Sequence, residues 1–133
     1  MKLKHYSDIE LEEVTMEGAK KAKIRWLISD KDKAPNFAMR MFELEPGGFT
    51  PYHSHSWEHE NFIVEGVGAL VTEDGELPFK PGDVIFVDPF LKHNYKNTGD
   101  KTLIFLCLVP LEKPAKQVKQ NVNPFAAGKA NNC

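Results

Sequence analysis

Long hydrophobic runs are missing from this sequence. The longest, Leu103–Leu111, is far short of the roughly 20 apolar residues needed to span a bilayer. The opening stretch, MKLKHYSDIELEEV, also lacks the apolar core of a secretory signal. Cysteine is scarce: Cys107 lies inside the apolar run and Cys133 is the last residue, a spacing that makes no disulfide framework and agrees with a reducing compartment. Charge of one sign is not in excess either. The 17 basic and 19 acidic side chains nearly cancel and form no basic stripe, which argues against nucleic acid as a partner. These absences predict a soluble, cytoplasmic protein with neither a membrane nor a nucleic acid as partner. At 133 residues the chain fits one domain, which buries roughly two-thirds of the surface its unfolded chain would expose.

A sustained helical period is lacking as well. In its place, short segments rich in Val, Ile, Phe and Tyr are separated by turn signals at EPGG (45–48), EG (65–66), EDGE (73–76), KPGD (80–83) and NTGD (97–100). Breaks this regular predict an all-β sandwich or barrel. The expected strands are KIRWLI, FAMRMFEL, TPYHSH, HENFIVE, GALVT, ELPFK, DVIFVD, KHNYKN and TLIFLCLV. TLIFLCLV is apolar on both faces and FAMRMFEL is nearly so, which predicts cover from a second sheet or a partner subunit, and hence a homodimer. Three regions follow: a charged N-terminal segment, 1–23, a candidate for a strand exchanged at the dimer interface; a barrel, 24–112; and a polar tail, 113–133, expected to be mobile or ordered only against a neighbour.

Histidine is sparse too, yet four of the five fall within residues 53–93. On an extended segment residues i and i+2 share a side, so His53 and His55 present two imidazoles to one point. His59 lies four residues on, and His93 follows the turn KPGD and the segment VIFVDPFLK. Neutral imidazole is the commonest side-chain ligand for zinc, iron, nickel and copper and accepts manganese, so one metal bound by four nitrogens is the reading of this set.

The stretches GGFTPYHSHSWEHENFIVEG (47–66) and PGDVIFVDPFLKHNYKN (81–97) resemble the two motifs of the cupin superfamily. The first family motif runs Gly, five residues, His-x-His, three or four residues, Glu, six residues, Gly. Gly47, His53, His55 and Gly66 fit it, and His59 stands where most cupins have glutamate. In the second motif Gly82, His93 and Asn97 fit, while Asp88 and Phe90 replace the usual Pro and Gly. The resemblance covers about residues 24–110 and implies the cupin double-stranded β-helix, a jelly-roll barrel. It is similar above all to small single-domain cupins with a four-histidine centre, which implies a homodimer and one divalent transition metal per chain, manganese or iron first, with zinc, nickel or copper possible. Four neutral ligands leave the ion with a net charge of about +2 where a glutamate would leave about +1, a stronger Lewis acid for anionic or chelating oxygen ligands. The other register allowed by the family makes Glu60 the ligand. If HENFIVE is extended from residue 59, Glu58 and Glu60 both face away from His59.

By the same alternation Asn61 and Ile63 share a face with His59, and Tyr95 and Asn97 with His93. Asn61 and Tyr95 are thus the candidates for catalytic groups. Trp57 reads as a packing anchor for the loop, Arg40 as a carboxylate clamp or an ion pair at the surface or interface, and Cys107 as a buried thiol. Phe37, Phe42, Phe49, Phe86, Phe90 and Phe105 are expected to line a mostly apolar interior suited to a small ligand. Together these features predict a metal-dependent oxidoreductase of dioxygenase type acting on a small organic molecule. The alternatives are a redox-neutral isomerase or decarboxylase using the same metal, and a non-catalytic module that binds a small ligand or metal.

Overall fold

The structure, a computed structural model, describes residues 1–112. The expectations for the tail at 113–133, Cys133 included, fall outside those residues. No helix among the described residues is long and apolar enough to cross a membrane. The only helical pieces described are two 3-10 turns, Tyr6–Asp8 and Asp30–Asp32. The second begins in a capping box, with the Ser29 side chain accepting from a turn N–H and Asp32 accepting from the Ser29 N–H.

Nine strands carry the rest: β1 (Glu12–Glu13), β2 (Lys20–Ile28), β3 (Phe37–Phe49), β4 (His59–Glu65), β5 (Gly68–Thr72), β6 (Gly75–Phe79), β7 (Val84–Val87), β8 (Asn94–Asn97) and β9 (Leu103–Pro110). Every pairing is antiparallel, and the sheet runs β6-β5-β8-β3-β9-β4-β7 with β2 also joined to β3. Strand β3 is the long one. Its first part, Phe37–Leu44, pairs with β9, and its last residue, Phe49, pairs with Lys96 of β8. This change of neighbour curls the sheet on itself, and the fold is the jelly-roll barrel expected of the sequence.

The curl separates an inner face from an outer one with the period of two that strands impose. Along β9, Leu103, Phe105, Cys107 and Val109 are buried, and the residues between them are half-buried. Along β4, His59, Asn61 and Ile63 are buried while Glu60, Phe62 and Val64 are exposed. Phe42 and Phe105 stack with ring centroids 5.3 Å apart, and burying each contributes about 2–3 kcal/mol. The phenylalanine expectation needs correction. Only Phe42 and Phe105 of the six are core residues; Phe37, Phe86 and Phe90 are exposed and Phe49 is half-buried, because alternation turns them outward or places them in loops.

Turn chemistry fixes the register around the site. In KPGD, Asp83 accepts from the Lys80 N–H at 2.9 Å, and Gly82 takes φ +93°, a left-handed value that a side chain disfavours. Gly66, between β4 and β5, has φ +84°, and a Cβ there would sit 2.5 Å from the Thr102 carbonyl oxygen. That close approach of two chains requires glycine at this end of β4. Asn97 closes NTGD by accepting from the Gly99 N–H and donating to the carbonyls of Leu44 and Lys101. One expected strand is not a strand. TPYHSH (50–55) has no ladder, only a single bridge between His53 and His93, because the chain turns out of the sheet after Phe49.

Candidate metal centre

The bridge that replaces the missing strand builds the site. His53 N–H donates to the His93 carbonyl at 3.1 Å and His93 N–H donates back at 3.0 Å, so the two backbones lock together and their rings enter the barrel side by side. Phe90 N–H donates to the His55 carbonyl at 2.7 Å, tying the loop before His93 to the chain that carries His55. Phe90 holds φ +69° to do this, at the position where most cupins have glycine. A non-glycine residue there costs on the order of 1 kcal/mol.

The imidazole nitrogens of His53, His55 and His93 lie within 4.8 Å of one another. Ring centroids are 5.1 Å apart for His53 and His55, 5.2 Å for His55 and His93, and 5.8 Å for His53 and His93. His59, fully buried at the start of β4, adjoins this group: its Nε2 is 3.1 Å from His55 Nε2, and its ring is 5.3 Å from that of His93. Three of the four expected ligands thus converge on one point and the fourth stands beside His55. Glu60, the other register, is on the exposed face of β4. Its carboxyl is pushed up to about 7, first by a hydrogen bond with Glu58 and then by burial.

The proton positions follow from the acceptors. His55 Nδ1 lies 2.8 Å from the Trp57 carbonyl and His93 Nδ1 lies 2.8 Å from the Leu91 carbonyl. A carbonyl oxygen can only accept, so each Nδ1 carries the hydrogen and each Nε2 keeps a lone pair. Nε2 of both His53 and His93 is buried with no hydrogen-bond partner among the described residues. Such atoms cost about 1–3 kcal/mol each when nothing satisfies them, so a group that takes up lone pairs fits this point. Protons are poor candidates for that group. Burial, reinforced by the neighbouring imidazoles, pulls His53 down to about 4 and His55 to about 2. Burial also pulls His93 down to about 4, against the opposing Leu91 hydrogen bond. At neutral pH His53, His55 and His93 are uncharged and ready to ligate. Neutral imidazoles in this arrangement fit a divalent transition metal.

Trp57 is buried and stacks on His55 at 4.3 Å with ring planes 3° apart, fixing that imidazole as the packing anchor the sequence suggested. Tyr95 and Asn61 both face inward, and the tyrosine hydroxyl donates to Asn61 Oδ1 at 2.7 Å. Asn61 Nδ2 donates in turn to the Leu106 carbonyl at 3.1 Å. Arg40 is not at a surface. It is the largest fully buried side chain, and its Nη2 donates to Cys107 Sγ at 3.0 Å. That sulfur lies 3.3 Å from His59 Nδ1. No linear spacing signals this link, because Arg40 and Cys107 meet only through the β3–β9 register.

A cupin domain model matches residues 40–109, and this chain belongs to the cupin family. Among solved structures it is similar to the polyketide cyclase RemF from Streptomyces resistomycificus, at 37% identity and a TM-score of 0.81, covering 86% of this chain and 82% of that one. Among characterised relatives, it is 38% identical over 81 residues to the oxalate-binding protein of Thermotoga maritima, 60% of this chain and 65% of that protein. It is also 36% identical over 62 residues to gentisate 1,2 dioxygenase 1 of Aquipseudomonas alcaligenes, 46% of this chain and 18% of that protein. The match therefore spans less than two thirds of either of these two relatives.

Proposed function

We propose that this chain is a metal-dependent cupin enzyme in which His53, His55, His59 and His93 hold one divalent transition metal and a small anionic organic molecule binds through its oxygens. The observation that carries this reading is the buried, proton-poor cluster of imidazoles, with unpartnered Nε2 atoms on His53 and His93. A bound ion, manganese or iron first, with zinc, nickel or copper also compatible with imidazole, would supply Lewis acidity toward substrate oxygens. The chain supplies the rest. No Asp or Glu is buried among the described residues, while Arg40 is, so the interior favours an anion. Tyr95 holds its proton toward Asn61 Oδ1, placing a hydroxyl and an amide on the face that carries the histidines.

The reaction class we place first is redox-neutral rearrangement of a carbonyl compound, supported by the likeness to a polyketide cyclase over most of both chains. Dioxygenase chemistry is the second reading, supported by the shorter similarity to gentisate dioxygenase. Loading the protein separately with manganese, iron and zinc and following 1,3-dicarbonyl, phenolic and dicarboxylate substrates, with oxygen uptake recorded in parallel, separates the two. Turnover without oxygen uptake is expected; uptake coupled to turnover would put the dioxygenase reading first. Saturable binding of a dicarboxylate without turnover of any compound would leave a binding module.

A second copy of this chain is the proposed macromolecular partner. Phe62, Val84 and Phe86 are exposed on the outer face of β4 and β7, where Phe62 opposes both Val84 and Leu106. This patch continues onto the half-buried Leu106 and Leu108 of β9. Sedimentation velocity is expected to give a dimer, and Phe86→Glu to shift it toward monomer without loss of the folded spectrum; a wild-type monomer at tens of micromolar would dismiss the partner.

A further inference from the structure

The strand register places Cys107 opposite Arg40 on one side and opposite Asn61 on the other, so three polar side chains enter the interior in one row. The Arg40 guanidinium lies over the rings of Trp26 and Phe42, at 5.5 and 5.2 Å, which holds it in place away from solvent. From there Nη2 reaches Cys107 Sγ at 3.0 Å, and Sγ reaches His59 Nδ1 at 3.3 Å.

His59 differs in this respect from His55 and His93, whose Nδ1 atoms face backbone carbonyls. A carbonyl only accepts, so the fold fixes those tautomers. A thiol both donates and accepts, so the use made of Cys107 decides which nitrogen of His59 carries the hydrogen. If the thiol donates to Nδ1, His59 carries its hydrogen on Nε2 and cannot ligate through that atom. If the sulfur accepts from Nδ1–H, the Nε2 lone pair is available. In the metal-free chain the His55 Nε2 lone pair accepts from His59 Nε2–H across 3.1 Å. Were an ion to take both Nε2 lone pairs, the hydrogen would belong on His59 Nδ1, and Arg40, which places a positive charge against the sulfur, favours the sulfur as its acceptor there.

We infer that Arg40 and Cys107 are positioning residues for the metal centre: the sulfur, held by the guanidinium, accepts from His59 Nδ1–H and so fixes the tautomer and ring orientation in which His59 Nε2 becomes a ligand. The inference rests on the four-histidine reading above and adds the outer partner on which His59 depends. Partners of this kind alter metal affinity by about 10- to 100-fold.

The test uses the full chain and Co2+ as probe, with affinity measured by chelator competition and the ligand field by visible absorption. Cys107→Ala is expected to lower Co2+ affinity 10- to 100-fold and to shift the spectrum toward that of His59→Ala. Cys107→Ser, which keeps a donor and acceptor, is expected to recover most of both. A folded Cys107→Ala protein with wild-type affinity and spectrum overturns the inference. Should that variant not fold, long-range 1H–15N correlations on wild-type protein loaded with Zn2+ decide: the hydrogen of His59 on Nδ1 supports the inference, and on Nε2 refutes it. Wild-type Co2+ binding that survives His59→Ala unchanged would instead remove the four-histidine reading, and this inference with it.

Discussion

Replacing His55 or His93 with alanine is expected to lower transition-metal affinity by about two orders of magnitude, because roughly 10–16 kcal/mol of apparent binding free energy shared over the four proposed ligands gives about 3 kcal/mol for each. Both side chains are buried, and both Nδ1 atoms are held by carbonyls, so wild-type protein has little rotamer or tautomer freedom to lose on binding. His53→Ala is expected to behave similarly. His59→Ala is the informative member of the series. His59 Nε2 contacts His55 Nε2 at 3.1 Å but lies outside the tight group of three, so a loss equal to the others makes it a ligand and wild-type affinity makes it a neighbour. Glu60→Gln serves as the contrast, since Glu60 is on the exposed face of β4 and its removal is expected to leave affinity unchanged. Elemental analysis of untagged protein, with about one ion per chain expected in wild type, together with chelator competition on each variant, checks the series.

Acid is expected to destabilise the metal-free protein through the same histidines. His53 and His93 titrate at about 4 in the folded chain and His55 at about 2, mainly because burial disfavours their charged forms, against an ordinary value of 6.5. Between those values the unfolded chain binds protons that the folded chain does not, so stability is whole above pH 6.5 and falls as pH drops toward 4. At about 1.4 kcal/mol per pH unit, His93 alone accounts for about 3 kcal/mol. The contribution of half-buried His53 is smaller, because water screens its charge. Glu60 acts in the opposite direction but is exposed and weak. Denaturant unfolding of chelator-treated protein from pH 7.5 to 4.5, compared with His93→Asn, isolates the effect. The variant is expected to show a shallower loss, and identical slopes in the two proteins would refute it.

Most of the strands were legible because their chemistry is local. HENFIVE and GALVT coincide with β4 and β5, and KPGD, EDGE and NTGD mark turns where backbone and side-chain hydrogen bonds close the chain, whereas EPGG (45–48), expected as a turn, lies within β3, where a register shift against β2 absorbs it. TPYHSH misled because its i, i+2 histidines imitate a strand. The two rings do share a side, but a single bridge to His93 places them there rather than a ladder. The surface placement of Arg40 and the interior placement of the exposed phenylalanines failed for a related reason: in a curled sheet, burial depends on which neighbour covers each face, and composition does not carry that information.

The sequence by itself determined the alternation, the turns and the presence of four histidines in cupin spacing, since these depend on residues near one another along the chain. Only the tertiary structure decided that His53 and His93 lock backbone to backbone, that Trp57 stacks on His55, and that Arg40 reaches His59 through Cys107. Those contacts join residues separated by two to dozens of positions, and it is the curl of β3 between β9 and β8, with the register it imposes, that brings the distant ones together.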